Sequence, residues 1–266
     1  MSMTNWRGAL FWLVLSQGAA AAAADGDSVR NNWLMMVTTE NTDPAKAAEF
    51  NDWYDNVDVP DVLKVQGYER ARRGVEQRIS EFAPTESQKD PLRYVALYDI
   101  KSRAIDKTII DMLMASWGME KSHHSTDLLK VTERVYFHQY GLTQSTPNRK
   151  PPKANQYIYM ARFDCCRDSS AARDFDVWYD QKYVPAVLAS AGFTRVSRYK
   201  LYRVLMDHPV KMPGFLSVVE LTADSSAQAA QNVREVRTRL SVADQANLPV
   251  VEESRSMFLQ IKDAKR

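Results

Sequence analysis

The sequence predicts an α+β protein built from two copies of one module, and each copy has the order strand, helix, strand, strand, helix, strand. The main observation is a repeat, because FNDWYDNVDVPDVL at residues 50–63 returns as FDVWYDQKYVPAVL at residues 175–188. Eight of the 14 positions are identical, at an offset of 125 residues. Matching strand-like and helix-like segments surround each copy, so the chain is predicted to be a tandem duplication.

The first module is predicted to span residues 30–141. Residues 33–39 are apolar and β-branched, as in a strand, and Asp43-Pro44 is typical of a helix start. Apolar residues at three- and four-residue spacing continue this helix, and Pro60 is expected to end or bend it. Further strands are predicted at residues 67–73, 93–100 and 131–140, and a second helix at residues 105–117.

The second module is predicted to span residues 156–264, after a linker at residues 142–155 that is rich in Pro, Ser, Thr and charge. Its segments repeat the order of the first module. Strands are expected at residues 157–163, 215–221 and 256–261, with another that begins at Phe193, and helices are expected from residue 168 or 169 and at residues 224–240.

This order of elements is that of a ferredoxin-like fold, in which both helices cover one side of a four-stranded sheet. The segment at residues 93–100 alternates between apolar and polar residues, which predicts a strand with one covered face. The other faces of the two sheets need cover as well. We therefore expect the modules to pack sheet to sheet as one intramolecular barrel.

The N-terminal residues 1–24 resemble a secretory signal peptide, with a weakly positive start, an apolar run and an alanine-rich end. Cleavage is expected after Ala24, which predicts a periplasmic or secreted protein without stable membrane insertion. An uncleaved anchor is the alternative, although Ser16-Gln17-Gly18 interrupts the apolar run and leaves it short for a membrane span. Arg7 is the only charged residue in this segment, so 34 basic and 33 acidic residues remain after its removal. That balance argues against a nucleic-acid partner.

A helix with Trp-Tyr-Asp, then Val-Pro, then Gly-Tyr or Gly-Phe, inside this order of elements resembles the dimeric α/β-barrel superfamily, and within it the EthD-like branch. The resemblance covers nearly all of the chain after residue 24, twice. It implies an intramolecular barrel that binds a small hydrophobic or aromatic molecule. The superfamily includes cofactor-independent monooxygenases, isomerases, cyclases and haem-linked peroxidases, so the resemblance does not select one reaction.

EthD-like proteins usually carry a His two residues before the Pro of this motif. Asp58 and Tyr183 occupy that position in the two copies. Asp58 is a candidate proton acceptor, and Tyr183 is a candidate donor to an oxyanion or enolate. His123 and His124 are the other candidate bases, because imidazole titrates near neutral pH; a solvated loop is the alternative for this pair.

The predicted binding residues are aromatic side chains of the first module and one of the second. A flat apolar substrate is expected to contact them, with Tyr54 or Tyr98 as hydrogen-bond donor, whereas core packing is the alternative for the tryptophans. These residues are Trp53, Tyr54, Tyr98 and Tyr183.

Three other groups of residues are expected to have structural roles. Asp55 and Asp180 occur in both copies, which favours a structural hydrogen bond. The strand arginines are predicted to lie on a solvated face, with carboxylate binding as the alternative; they are Arg70, Arg72, Arg73, Arg195 and Arg198. The adjacent Cys165 and Cys166 leave a vicinal disulfide, free thiols and interchain pairing open, and no metal site or cofactor is predicted.

The expected function is binding of a small hydrophobic molecule in a cavity of the first module, with the second module as a structural partner. If the protein is an enzyme, cofactor-independent lyase, isomerase or oxygenase chemistry by proton transfer is expected. A non-catalytic binding or scaffold protein is the alternative, and a haem-binding protein with His124 as ligand is a third. Further self-association of the chain is left open.

Overall fold

The computed structural model is a mixed α/β protein in which eight antiparallel strands form a closed barrel with helices packed against its outside. It describes residues 29–79, 91–121, 126–146, 154–165, 169–205, 212–240 and 250–266. The predicted signal segment and Cys166 lie outside these ranges. None of the helices in the described ranges is long and apolar enough to cross a bilayer.

The two halves of the chain have the same order of elements. The first half contains β1 (Asn32–Asn41), α1 (Ala47–Trp53), α2 (Val59–Lys64), β2 (Tyr68–Glu76), β3 (Arg93–Lys101), α3 (Ile105–Lys121) and β4 (Leu129–Gln139). A short strand, β5 (Gln144–Ser145), follows within the predicted linker. The second half contains β6 (Asn155–Cys165), α4 (Ser169–Trp178), α5 (Val184–Leu188), β7 (Phe193–Val204), β8 (Phe215–Ala223), α6 (Ser226–Arg239) and β9 (Val250–Lys265).

Hydrogen bonds between edge strands close the barrel. The strand order is β4-β1-β3-β2-β9-β6-β8-β7, and β4 pairs with β7 to complete the ring. The halves meet in the β2–β9 and β4–β7 ladders, both antiparallel. The expected barrel is therefore one continuous sheet, and its closure leaves no unpaired edge in the ring.

Both faces of the barrel wall are buried, because one face lines the interior and the other packs against helices. Five consecutive residues of β3, from Tyr94 to Tyr98, are at most 5% exposed. The helices cover one face of this strand and closure of the ring covers the other, as expected for a barrel. The interior cluster includes Leu34, Met36, Val95, Leu97, Phe137, Ile158, Met160 and Phe258.

The helical run that carries the repeated motif does not end at the proline. In each half a π-helical turn joins two α-helices, at Tyr54–Asp58 and at Tyr179–Tyr183. The proline follows at the start of the next helix, where its missing N–H breaks no helical hydrogen bond. The wider turn adds one residue to the helix, and Asp58 and Tyr183 are the last residues of these turns.

The repeated glycine before the second strand of each half is required by the backbone. Gly67 and Gly192 have φ values of +97° and +84°, which L side chains rarely adopt. A Cβ atom on Gly192 would also lie 2.4 Å from the carbonyl oxygen of Thr222. The Gly-Tyr and Gly-Phe pairs of the motif therefore serve the turn from helix to strand.

Three of the strand arginines are buried, so the prediction of a solvated strand face was wrong for them. Arg72, Arg73 and Arg198 are 1%, 0% and 3% exposed. Arg72 points into the barrel, where it donates to Asp99 of its own half and, at 2.6 Å, to Glu220 of the other half. Closure of the barrel buries these groups, and the acids provide the charge that a buried guanidinium needs.

We predict that Arg72→Ala lowers the free energy of unfolding by about 3 kcal/mol, because it leaves two carboxylates facing each other in a largely buried site. Urea unfolding followed by circular dichroism measures the change. Lys107→Ala is the matched control, since it removes an exposed ion pair with Asp111, and it should cost less than about 1 kcal/mol. Equal effects of the two variants would contradict the assignment.

Candidate functional site

An apolar cavity of about 130 Å³ lies between the helices and the sheet in the second half of the chain. Aromatic side chains form most of its wall, with Val187, Val233, Val236 and Leu240 among the aliphatic contacts. The aromatic lining residues are Tyr159, Phe163, Phe175, Trp178, Tyr179, Tyr183 and Phe193. Such a space suits a small, flat, apolar molecule.

Side-chain volume in the sheet explains why the cavity lies in this half. In the second half, Tyr159 of β6 has Val219 and Met257 opposite it on the two neighbouring strands. In the first half, Met35 of β1 has tyrosines opposite it on both sides, Tyr98 and Tyr136. At these matched positions the first half has two aromatic rings, Tyr98 and Tyr136, and the second half has one, Tyr159. The space under the helices of the second half is therefore partly empty.

The cavity wall offers hydrogen-bonding groups at one end. The indole Nε1 of Trp178 is buried and has no hydrogen-bond partner. The hydroxyl of Tyr179 is hydrogen-bonded to that of Ser217, 2.8 Å away, and burial raises the pKa of this tyrosine. A buried N–H without a partner costs free energy that a ligand with an acceptor atom would recover.

In the first half, the equivalent space between helix and sheet holds a polar cluster. The hydroxyl of Tyr98 on β3 donates to Asp58 Oδ2 over 3.1 Å. Burial raises the pKa of the Asp58 carboxyl to about 6, although the Tyr98 hydrogen bond and the charges of Arg134 and Arg73 act in the opposite direction. Asp58 is therefore a carboxyl group that can take up and release a proton near neutral pH.

Arg134 supplies a positive charge to this cluster. Its charge lowers the pKa values of Asp58, Tyr54, Tyr68 and Tyr136, so the guanidinium lies near all four groups. Its Nε atom is buried and has no hydrogen-bond partner. A cation in this position can stabilise negative charge that develops on a bound molecule.

The remaining hydroxyls of the cluster are hydrogen-bonded within the protein. Tyr68 and Tyr136 are 3.0 Å apart at their hydroxyl oxygens, and burial raises the pKa of both. The Tyr54 ring lies under the guanidinium of Arg73, 3.8 Å from the ring centroid, and burial raises the pKa of this tyrosine too. These tyrosines stay protonated and act as hydrogen-bond donors.

The repeated Asp of the motif pairs with a strand arginine in both halves. Asp55 accepts from Arg73, and Asp180 lies 3.6 Å from Arg198. Arg198 also lies over the Tyr179 ring, 4.3 Å from its centroid, as Arg73 lies over Tyr54. The structural role expected for the two aspartates agrees with these contacts.

The structure divides the predicted site residues between two places. Asp58, Tyr54 and Tyr98 come together in the first half, and Trp53 packs beside Tyr54 with 5.7 Å between ring centroids. Tyr183 lines the cavity of the second half instead. The second module was expected to be a structural partner, and the structure places an aromatic-lined cavity in that half. His123 and His124 lie outside the described residues.

Sequence reasoning missed the residues that create the cavity. Trp178, the motif tryptophan of the second half, is not among the predicted binding residues, yet it lines the cavity. Val219 and Met257 carried no motif. The usable signal was a comparison of the two copies at the strand positions, where Val219 stands 121 residues after Tyr98. The described residues contain no cluster of three or more His, Cys, Asp or Glu that could hold a metal ion.

The sequence matches no protein-family model and no curated protein. Solved structures match its fold. An anthrone oxidase-like protein has a TM-score of 0.57 and 13% identity, over 90% of this chain and 95% of that one. A candidate monooxygenase of Fusobacterium nucleatum has a TM-score of 0.52 and 8% identity, over 88% and 94% of the two chains.

A haem complex of DypB from Rhodococcus jostii has a TM-score of 0.51 and 9% identity, over 89% of this chain and 93% of that one. At these identities the similarity establishes the fold alone. The predicted α/β-barrel fold agrees with these structures.

We predict that ionisation of Asp58 lowers stability as the pH rises from about 4 to about 6. The folded protein holds the Asp58 proton up to a pKa of about 6, whereas the unfolded chain releases it near the ordinary value of 3.8, so the folded state binds more protons in this window. Asp58→Asn should flatten this part of the profile, because the amide still accepts from Tyr98 but does not titrate. Urea unfolding at several pH values tests this.

Asp52→Asn is the control for this profile, because Asp52 lies on the same helical run and accepts from Asn56 at the surface. Its profile should keep the wild-type slope between pH 4 and 6. A profile for Asp58→Asn that parallels the wild type would contradict the raised pKa.

Proposed function

We propose that this protein is an exported, EthD-like tandem barrel that binds a small aromatic molecule in the cavity of its second half. The observation that carries the proposal is the cavity itself, about 130 Å³ in volume and lined by aromatic and aliphatic side chains together with Arg237. The predicted signal segment at residues 1–24 motivates export. Solved proteins with the same fold include an anthrone oxidase-like protein and a haem complex, which are compatible with small-molecule binding.

The tandem character of the proposal is supported by the matched registers of the two halves. Met35 lies opposite Tyr98 in the first half, and Tyr159 lies opposite Val219 in the second. The π-helical turn, the positive-φ glycine and the Arg–Asp pair each occur once per half. The Trp-Tyr-Asp and Val-Pro pattern supports the EthD-like assignment.

The size of the cavity indicates a ligand with one aromatic ring. Pockets for drug-sized ligands have volumes of roughly 300–1,000 Å³, whereas an apolar cavity of about 150 Å³ accommodates benzene. The buried N–H of Trp178 favours a ligand with a hydrogen-bond acceptor next to the ring, such as a ketone, a phenol or a quinone. We infer a single-ring aromatic compound with one such oxygen.

The cavity does not fit a haem group. Its volume is below that of pockets for drug-sized ligands, and a macrocycle needs more space. No histidine is among the residues that line it. His138, on β4, packs on Trp33 with 4.3 Å between ring centroids and shares a hydrogen bond with the carbonyl of Arg30. The described residues therefore hold no histidine ligand for haem at this cavity.

We predict that acetophenone binds the protein more tightly than ethylbenzene. The two compounds have nearly the same shape, but only acetophenone has an oxygen that can accept from Trp178. Isothermal titration calorimetry should give a difference of about fivefold in Kd, equivalent to one neutral hydrogen bond of about 1 kcal/mol. Trp178→Phe should remove the difference while both compounds still bind.

Two matched substitutions test the position of the binding site. Ala161 lines the cavity, and Ala161→Leu should fill it and weaken both compounds at least tenfold. Val37→Leu adds one methylene to the core of the first half, at the strand position that corresponds to Ala161, and should leave binding unchanged. Binding that is equally strong in all these variants would contradict the proposed site.

Proton transfer at Asp58 is a second candidate function, favoured by its raised pKa and its hydrogen bond to Tyr98. The Asp58 carboxylate would take a proton from carbon next to a carbonyl group. The C–H electron pair would then form the enolate C=C bond, and the carbonyl oxygen would become an oxyanion. Arg134 would stabilise that charge, and Tyr98 would hold the carboxylate in place.

Exchange of deuterium into 2-indanone tests this chemistry, because its benzylic protons lie next to a ketone. We predict that the protein accelerates this exchange in D₂O above the buffer rate, as followed by NMR, and that Asp58→Asn removes the acceleration. Ala161→Leu is the control, because it alters only the second half. Exchange at the buffer rate with the wild-type protein would rule out this second function and leave the binding proposal intact.

A further inference from the structure

Helix α3 (Ile105–Lys121) exposes a continuous apolar stripe on its outer side. Its inner side is buried against the sheet through Ile105, Ile109 and Met112. The stripe follows the three- and four-residue spacing of one helix face and consists of large side chains that are 41–58% exposed. These are Ile110, Leu113, Met114 and Trp117.

A contiguous apolar surface of this kind indicates an interaction site. None of the stripe residues lines the cavity or contacts Asp58 in its cluster. The stripe is also self-complementary. With a two-fold axis between Leu113 and Met114, Leu113 of one copy lies opposite Met114 of the other. Ile110 of one copy then lies opposite Trp117 of the other.

The charges at the two ends of the stripe fit the same arrangement. Asp106 lies on the stripe at the N-terminal end of α3, and Lys121 lies on it at the C-terminal end. The two-fold axis that pairs the apolar residues also places Asp106 of one copy opposite Lys121 of the other, twice per pair. Antiparallel helices also bring the positive end of one helix dipole near the negative end of the other.

Asp106 and Lys121 both stay exposed enough to contact a second copy, despite their contacts within the chain. Asp106 accepts from Tyr202 at 2.9 Å and pairs with Arg203 at 2.9 Å, yet its side chain remains 59% exposed. Lys121 lies over the Trp117 ring, 4.4 Å from its centroid, and is exposed. Contact with a second Asp106 would bury both the lysine stem and the ring.

We propose that this protein forms a two-fold symmetric dimer through antiparallel pairing of α3, with the apolar stripe at the centre and Asp106–Lys121 contacts at both ends. One helix per subunit forms a small interface, so the dimer is reversible and depends on concentration.

Sedimentation velocity of the mature protein tests whether it dimerises through this stripe. The weight-average mass should rise from the monomer value toward twice that value between about 1 and 200 µM. Met114→Glu places a charge at the centre of the stripe and should hold the mass at the monomer value throughout. Val177→Glu is the matched control, because Val177 is a similarly exposed apolar residue on α4, and it should behave as wild type.

Charge exchange tests the antiparallel arrangement. Asp106→Lys alone and Lys121→Asp alone should each weaken dimerisation about fivefold, because each places two like-charge contacts in its own dimer. An equimolar mixture of the two variants should recover the wild-type strength, since both end contacts of the mixed dimer then join opposite charges. A wild-type protein that stays monomeric, a Met114→Glu variant that dimerises normally, or a mixture no stronger than its components would overturn the proposal.

Discussion

A buried guanidinium between helix and sheet is the contact on which each half of this protein depends. Arg73 and Arg198 are almost fully buried, and each lies over a tyrosine ring and beside the aspartate of the same Trp-Tyr-Asp motif. A buried cation is costly unless it is paired, so the motif and the strand must stay together. This requirement fixes the position of the helical run over the sheet and the height of the space beneath it.

The two halves have the same packing of helix on sheet, but different side chains lie in the space between them. In the first half, tyrosines on the strands and the half-buried Asp58 at the end of the π-helical turn place hydrogen-bonded polar groups in this space. In the second half, Val219 and Met257 replace two of these tyrosines, and an aromatic-lined cavity remains. Chemistry and binding are therefore assigned to the positions where the copies differ.

The fold could be predicted from the sequence because its signals are local. The repeat, the strand patterns and the glycines before the second strands all agree with the observed elements. The burial of Arg72 could not be predicted in this way, since its partner Glu220 is 148 residues away and charged strand residues usually face solvent. A closed ring buries both faces of a strand, and only the pairing of distant edges creates that environment.

The candidate site could be predicted only in part, because some of its residues belong to a local motif and others meet only in the folded sheet. Asp58 was identified because it stands where EthD-like proteins usually carry a His, and in the structure it accepts a hydrogen bond from Tyr98. The cavity depends on the combined volume of side chains from three strands, and no single sequence motif contains all of these residues. The π-helical turns also escaped prediction, because a proline inside a helical pattern normally indicates its end.

Anomalous diffraction from a crystal soaked in bromobenzene tests the central claim, that the second half carries an open site for one aromatic ring. We expect a bromine peak within the second-half cavity, between the Tyr159 and Val236 side chains that line it. Ala161→Leu crystals should lack that peak. Bromine found only at the protein surface, or in the first half beside Asp58, would contradict the account.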